Sequence, residues 1–369
     1  RKSPAKPRVE KMKRLLVTGA AGFIGSNFVH YWSAQNPNDL IVALDALTYA
    51  GNKENLTTLL SKSQFKFIKG DICDLALVES LLDEHEIDTV VHFAAESHVD
   101  RSITGPDAFV RTNIVGTHTL LKAVRRRWLE GTSNNEHLFH HISTDEVYGS
   151  LTTNDPAFTE ATPFAPNSPY AASKAASDHL VRAYHNTYGL NTTTTNSSNN
   201  YGPYQFPEKL IPLCLVNILN GKPIPIYGDG KQMRDWVYVD DHSRGIEAVI
   251  RNGIRGETYN IGGNHECTNI DVVTLLCDII DTRFEECSLL CDRFPKSPSA
   301  SKKNARSLIT FVEDRPGHDT RYAVNTSKIC ESLSYRQQEN FDSGLNKAVD
   351  WYLDNELWWR AILSGSYRD

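Results

Sequence analysis

Residues 15–25 read Leu15-Leu16-Val17-Thr18-Gly19-Ala20-Ala21-Gly22-Phe23-Ile24-Gly25, an apolar run followed by three glycines spaced three apart. The apolar run fits a buried strand. Gly19 allows a tight turn, Gly22 lets backbone approach a pyrophosphate, and Gly25 lets the next helix pack closely on the strand. Free N–H groups and the positive end of that helix, where Phe23 and Ile24 sit, favour phosphate oxygens. Asp45 ends a second apolar run, 20 residues beyond Gly25. A carboxylate there accepts hydrogen bonds from the adenosine ribose hydroxyls and repels a 2′-phosphate, so NAD is expected rather than NADP.

Outward from this turn, short apolar runs alternate with helical patterns. Arg14–Thr18, Leu40–Leu44, Phe65–Ile68, Thr89–Phe93 and His137–Ile142 read as strands, and Phe28–Gln35, Ala76–His85 and Ala108–Arg127 as helices. Such alternation predicts an α/β fold, a Rossmann-type doubly wound parallel sheet with right-handed crossovers. Ala171–Tyr188 reads as one long helix, with an apolar stripe through Ala172, Ala175, Ala176, Leu180 and Tyr184. Asn191–Thr195 favours a strand through its β-branched threonines, although it is polar for a central one. Beyond Tyr201 prolines and glycines become dense, which suggests a smaller C-terminal α/β substrate-binding domain. The expected division is a flexible lead-in at 1–12, an NAD-binding core at 13–200 and a substrate domain at 201–369. Within the last, roughly 235–260 returns to the first domain, and the Lys/Ser/Pro-rich strip 292–306 is expected to be a disordered insertion.

Ligands of doubly wound sheets gather at the carboxyl ends of strands. Thr48, Asp71, Ile72, Phe93, Ala94 and Ala95 are therefore candidates for the cofactor, the small alanines leaving it room. Composition narrows the remaining classes. Hydrophobic and charged contents of 40% and 23% suit an ordinary globular protein, and a formal charge of −6 argues against a nucleic-acid partner. The basic run Arg125-Arg126-Arg127 reads as a solvated last helical turn. Seven scattered cysteines without Cys-x-x-Cys give neither a disulfide framework nor a metal site, and reduced thiols fit a cytoplasmic protein. No signal-peptide h-region and no run of 18 apolar residues is present, so no membrane partner is expected.

Two clusters carry chemistry. Ser143-Thr144-Asp145-Glu146 follows a strand end; adjacent carboxyls in unequal surroundings can divide into an acid and a base. Tyr170-Ala171-Ala172-Ser173-Lys174 opens the long helix behind Pro169. Residues i and i+4 share a helix face, so the ammonium is expected to favour the phenolate and to reach the nicotinamide ribose.

With these clusters in place, the chain resembles the dTDP-glucose 4,6-dehydratases of the extended short-chain dehydrogenase/reductase superfamily. Matching stretches include Thr18–Ser26, His92–Ile103, Asn113–Thr117, Ser143–Gly149, Ser168–Leu180, Ser198–Pro212, Gly228–Asp241 and Glu313–Asp319. The resemblance implies dehydration of dTDP-glucose, with Thr144, Asp145, Glu146, Tyr170 and Lys174 as catalytic residues. It implies sugar-nucleotide contacts by Ser97, Thr144, Asn199, Lys209, Arg234, Asn269, Arg315 and His318, with Ser97, Thr112 and Asn199 also near the cofactor. It implies a homodimer joined through two helices per subunit. Sugar 4-epimerases of the same scaffold lack the Thr-Asp-Glu run, and GDP-mannose dehydratases usually carry Ser-Glu where this chain has Asp145-Glu146. A UDP-glucose 4,6-dehydratase stays open, because thymine and uracil differ by one methyl. Ala46 departs from the lysine common after the ribose-binding Asp, the 149–167 segment is shorter than in some members, and 292–306 enlarges the substrate side.

Overall fold

The computed structural model describes residues 12–131, 136–314 and 317–368; apart from Met12, the expected lead-in lies outside them. Strands are β1 (Arg14–Thr18), β2 (Leu40–Asp45), β3 (Phe65–Lys69), β4 (Thr89–His92), β5 (Leu138–Thr144) and β6 (Thr192–Ser197). They continue as β7 (Asn199–Tyr201), β8 (Ile224–Tyr227), β9 (Met233–Tyr238), β10 (Thr258–Ile261), β11 (Glu266–Thr268) and β12 (Ile309–Val312). The main sheet has seven strands in the order β10-β6-β5-β4-β1-β2-β3, and every pairing is parallel. Helices cover both faces, which is why β2 and β4 are buried along their whole length, β2 reading as an unbroken apolar run from Leu40 to Leu44.

β6 is equally buried despite its threonines. Its polarity is met from β5: Thr193 and Thr195 hydroxyls lie 2.8 and 3.3 Å from the two ring nitrogens of the buried His140. A buried hydroxyl is tolerated where it finds such a partner. The first helix runs Phe23–Gln35, starting at the glycine turn rather than at Phe28. The expected 108–127 helix is Asp107–Phe109, a stretch of wide π turns at Val110–Gly116, and Thr117–Trp128. Its three arginines are paired rather than merely solvated, with Glu130, Glu79 and Asp83 at 3.0, 2.9 and 2.5 Å.

The C-terminal half builds a second unit from the sheets β11-β9-β7 and β12-β8 and helices that include Leu210–Asn220, Asn269–Glu286 and Phe341–Asp354. Its own core contains Ile211, Leu215, Leu276, Ile280, Leu345 and Trp359. The chain does not stay there. The helix Val239–Asn252 packs beside Phe23–Gln35, where Tyr31 donates to Glu247 at 2.5 Å, and β10 then pairs with β6 at the sheet edge.

The strip 292–306, expected to be disordered, is structured. It runs from the end of the short helix Leu289–Arg293 through the tight turn Pro298–Ser301 to the start of the turn Ala305–Leu308. Phe294 and Ala305 are buried, Asp281 accepts from the Ser299 hydroxyl and the Ala305 N–H, and Arg306 pairs with Asp278. Two apolar anchors and the half-buried Asp281 carboxylate hold it, and its polar composition conceals them.

Candidate active site

The strand order reverses between β1 and β4, opening a crevice at the carboxyl ends of the strands. A cleft of about 320 Å³ occupies it. Gly19, Gly22, Phe23, Ile24 and Gly25 form one wall, with Asp45 and Thr48 after β2 and Asp71 and Ile72 after β3. Phe93, Ala94, Ala95 and Ser97 follow from β4, Thr112 from the π turns, and Thr144, Asp145 and Glu146 from β5. Tyr170, Lys174, Asn199 and Lys209 complete it. Gly19 has φ +69°, and a Cβ on Gly25 would lie 2.2 Å from the Gly19 carbonyl oxygen. Asp45 accepts N–H bonds from Ala21 and Leu47 at 2.9 and 2.8 Å, which fix its carboxylate at the lip of the glycine turn. Burial pushes that carboxyl above its usual range, and the two N–H bonds oppose the rise.

At the other end the two carboxyls are unequal. Thr144 Oγ accepts from the Glu146 N–H and donates to Asp145 Oδ1, both at 3.3 Å. Asp145 is 2% exposed, and its Oδ2 has no hydrogen-bond partner among the described residues. Burial first, then the charges of Glu146 and Asp235, push Asp145 well above the carboxylate range, against the opposing Arg234. The protonated form of Asp145 is thereby favoured, beside a half-buried Glu146. Tyr170 is buried against the same cleft, its phenol pushed up by burial and by the Glu146 charge and eased down by Thr144. The structure gives Lys174 a backbone partner on β5. The lysine shares the helix face with Tyr170, but its longer chain carries Nζ to the Ile142 carbonyl at 2.8 Å.

Residues 16–348 match the family described as GDP-mannose 4,6 dehydratase. The chain is 52% identical to a dTDP-glucose 4,6-dehydratase of Neisseria meningitidis, over 97% of this chain and 98% of that one. It is 53% identical to one of Xanthomonas campestris, with the same coverages. A solved dTDP-glucose 4,6-dehydratase from Streptomyces venezuelae, crystallised with NAD among its ligands, superposes with a TM-score of 0.84 at 45% identity. That match covers 95% of this chain and 99% of the other. The chain belongs to the dTDP-glucose 4,6-dehydratase family.

Three residues expected to bind substrate in this dTDP-glucose 4,6-dehydratase family member are not on the cleft wall; they gather about β9. Arg234 donates to the Met233 and Asp319 carbonyls at 2.8 and 3.0 Å and lies 4.4 Å over the Tyr322 ring. The Asn269 N–H donates to the Gln232 carbonyl, and His318 pairs with Asp314 at 2.6 Å. Arg315 lies outside the described residues. The sequence reading also missed Tyr49, Glu96, Gln205, Phe206 and Glu208, all on the cleft. Glu208 lies 3.5 Å from Arg101, whose guanidinium sits 3.7 Å over the Tyr49 ring, so the two units meet across the cleft mouth. The signal for Glu208 was its place next to Lys209. Among the described residues no group of side chains could hold a metal ion, and no helix is long and apolar enough to cross a membrane.

Proposed function

We propose that the chain removes water from dTDP-glucose to give dTDP-4-keto-6-deoxyglucose, using NAD that stays bound through the turnover. The observation that carries this reading is the buried Asp145 beside Glu146 on the same cleft as Tyr170 and the glycine turn. The site fits NAD: a Cβ on Gly25 would obstruct the turn, Asp45 stands where ribose hydroxyls are received, and the buried Asn199 Oδ1 lacks a partner among the described residues.

NAD, when bound, would supply a hydride acceptor for C4 and a hydride donor for C6. Tyr170 takes the proton of the 4-hydroxyl, with Thr144 on the same cleft as relay. The new carbonyl at C4 acidifies the hydrogen at C5, and Glu146 removes it. Asp145 gives its proton to the departing C6 hydroxyl, which leaves as water. Glu146 later returns a proton to C5. Lys174, Asp45, Asp71 and the Gly19–Gly25 turn hold the cofactor, and Ser97, Asn199 and Lys209 hold the sugar-nucleotide. The resemblance assigns Arg234, Asn269, Arg315 and His318 to the sugar-nucleotide as well. A homodimer through the 107–128 and 169–188 helices is supported by the exposed Val110, Val115 and Tyr188. Free thiols at all seven cysteines suit a reducing cytoplasm.

The test is to offer dTDP-, UDP-, CDP- and GDP-linked hexoses and follow the alkali-revealed absorbance of a 4-keto sugar. Product from dTDP-glucose without net NADH is expected, and Glu146→Gln should abolish it while NAD remains bound. No product from any of these donors would refute the reading; faster product from UDP-glucose would move the substrate.

A further inference from the structure

Asp178 takes no part in the steps above and does not line the cleft, yet it is a carboxyl buried inside the protein. It lies one helical turn beyond Lys174 on the helix Pro169–Tyr188. Ser143 Oγ donates to its Oδ2 at 2.9 Å, and His141 Nε2 lies 3.0 Å from its Oδ1. Between those residues the Ile142 carbonyl accepts from Lys174 Nζ at 2.8 Å. Three consecutive residues of β5, ending where Thr144 begins, are thus tied to the Tyr170 helix by the side chains of Lys174 and Asp178.

A buried carboxylate is costly unless it is hydrogen-bonded and faces a cation. Lys174, one turn earlier on the same helix and buried like Asp178, is the cation on its side. We infer that Asp178 is a positioning residue, which keeps Lys174 as an ammonium and holds the Tyr170/Lys174 helix in register with the strand end bearing Asp145 and Glu146. This inference rests on the dehydratase reading for what the register is used for.

The other groups facing Lys174 do not supply a counter-charge. His92 on β4 and His141 on β5 are buried and pushed well below the usual imidazole range, so both are neutral. Burial brings Lys174 down to about 8, and Asp178 opposes that fall. Burial brings Asp178 up to about 7, against Lys174, Ser143 and His179.

The experiment uses the purified, NAD-loaded protein with its lysines labelled at the ε-carbon, the Lys174 signal being assigned by Lys174→Met. Asp178→Asn should lower the Lys174 titration midpoint by at least about one pH unit, the size expected on losing an adjacent opposite charge. The alkaline limb of kcat should fall by the same amount, with KM for dTDP-glucose within about threefold. A structural role alone would reduce the yield of folded protein and leave that limb in place. An unmoved midpoint and limb overturn the inference. Should the variant fail to fold, the wild-type protein decides. There the Asp178 carboxyl carbon and the Lys174 ε-carbon should share two midpoints as a coupled pair, and independent titration overturns the inference. A wild-type chain that turns over no nucleotide sugar would refute the dehydratase reading, whereas the midpoint shift decides the hold on Lys174.

Discussion

Replacing Gly25 by alanine tests whether the glycine turn serves as a cofactor cradle. The added Cβ would stand 2.2 Å from the Gly19 carbonyl oxygen and 2.9 Å from its carbon, whereas ordinary contact begins at 3.4 Å. Helix and turn must therefore separate by roughly 1.2 Å, and neither side yields freely. Phe28, Val29 and Trp32 of that helix are wholly buried, and Gly19 itself donates its N–H to the Leu44 carbonyl of β2 at 2.9 Å. Overpacking of this kind costs about 1–3 kcal/mol. A displacement of about 1 Å at a reacting centre costs on the order of 10²-fold in rate. The assay is the NAD content of the purified protein, measured after denaturation, together with kcat and the melting temperature. Substantially lower NAD content and a rate down by about two orders of magnitude are expected. An alanine variant that retains wild-type NAD and wild-type turnover would refute the cradle.

Two further outcomes follow from the buried titratable groups. Asp145→Asn removes the proton donor and should lower kcat by about 10²–10⁴-fold, the usual worth of a general acid. Because burial raises the Asp145 pKa in the folded state, its carboxyl opposes folding above the unfolded value. The Asn variant should therefore melt higher than wild type at pH 7, the gain disappearing below about pH 4; a lower melting temperature at pH 7 would contradict this. The buried His92, His140, His141 and His242 are all depressed by burial, so the unfolded chain binds protons that the folded one refuses. Stability should fall as pH drops through about 6.5, seen as a declining melting temperature, and a flat profile down to about pH 5 would rule this out.

What the sequence disclosed and what it hid divide along physical lines. The glycine spacing, Asp45 and the Tyr170/Lys174 pair are local patterns whose geometry follows from a turn or a helix face, and all of them reach one cleft. The start of the first helix was concealed because Gly25, Ser26 and Asn27 are poor helix formers. The fold accommodates them, with Ser26 Oγ and Asn27 Nδ2 donating to the Phe23 carbonyl at 3.0 and 2.9 Å. The π turns at Val110–Gly116 leave no mark in hydrophobic period. Lys174 reaching Ile142 rather than the phenol depends on β5, far away in sequence. The cleft-mouth residues Tyr49, Arg101 and Glu208 come from two loops and the short helix Val99–Thr104, and only the tertiary fold assembles them.

The return of the chain to the first sheet constrains how the protein can be made. β10 seals the flank of the threonine-rich β6, so the sheet is incomplete until Ile261 has left the ribosome. Before then, growing chains of some 200 residues present an open edge in need of a partner. Cutting after β6 would yield neither a self-sufficient nucleotide-binding fragment nor a self-sufficient sugar-binding one, and modules swapped between relatives must exchange the 239–261 segment together with the first half.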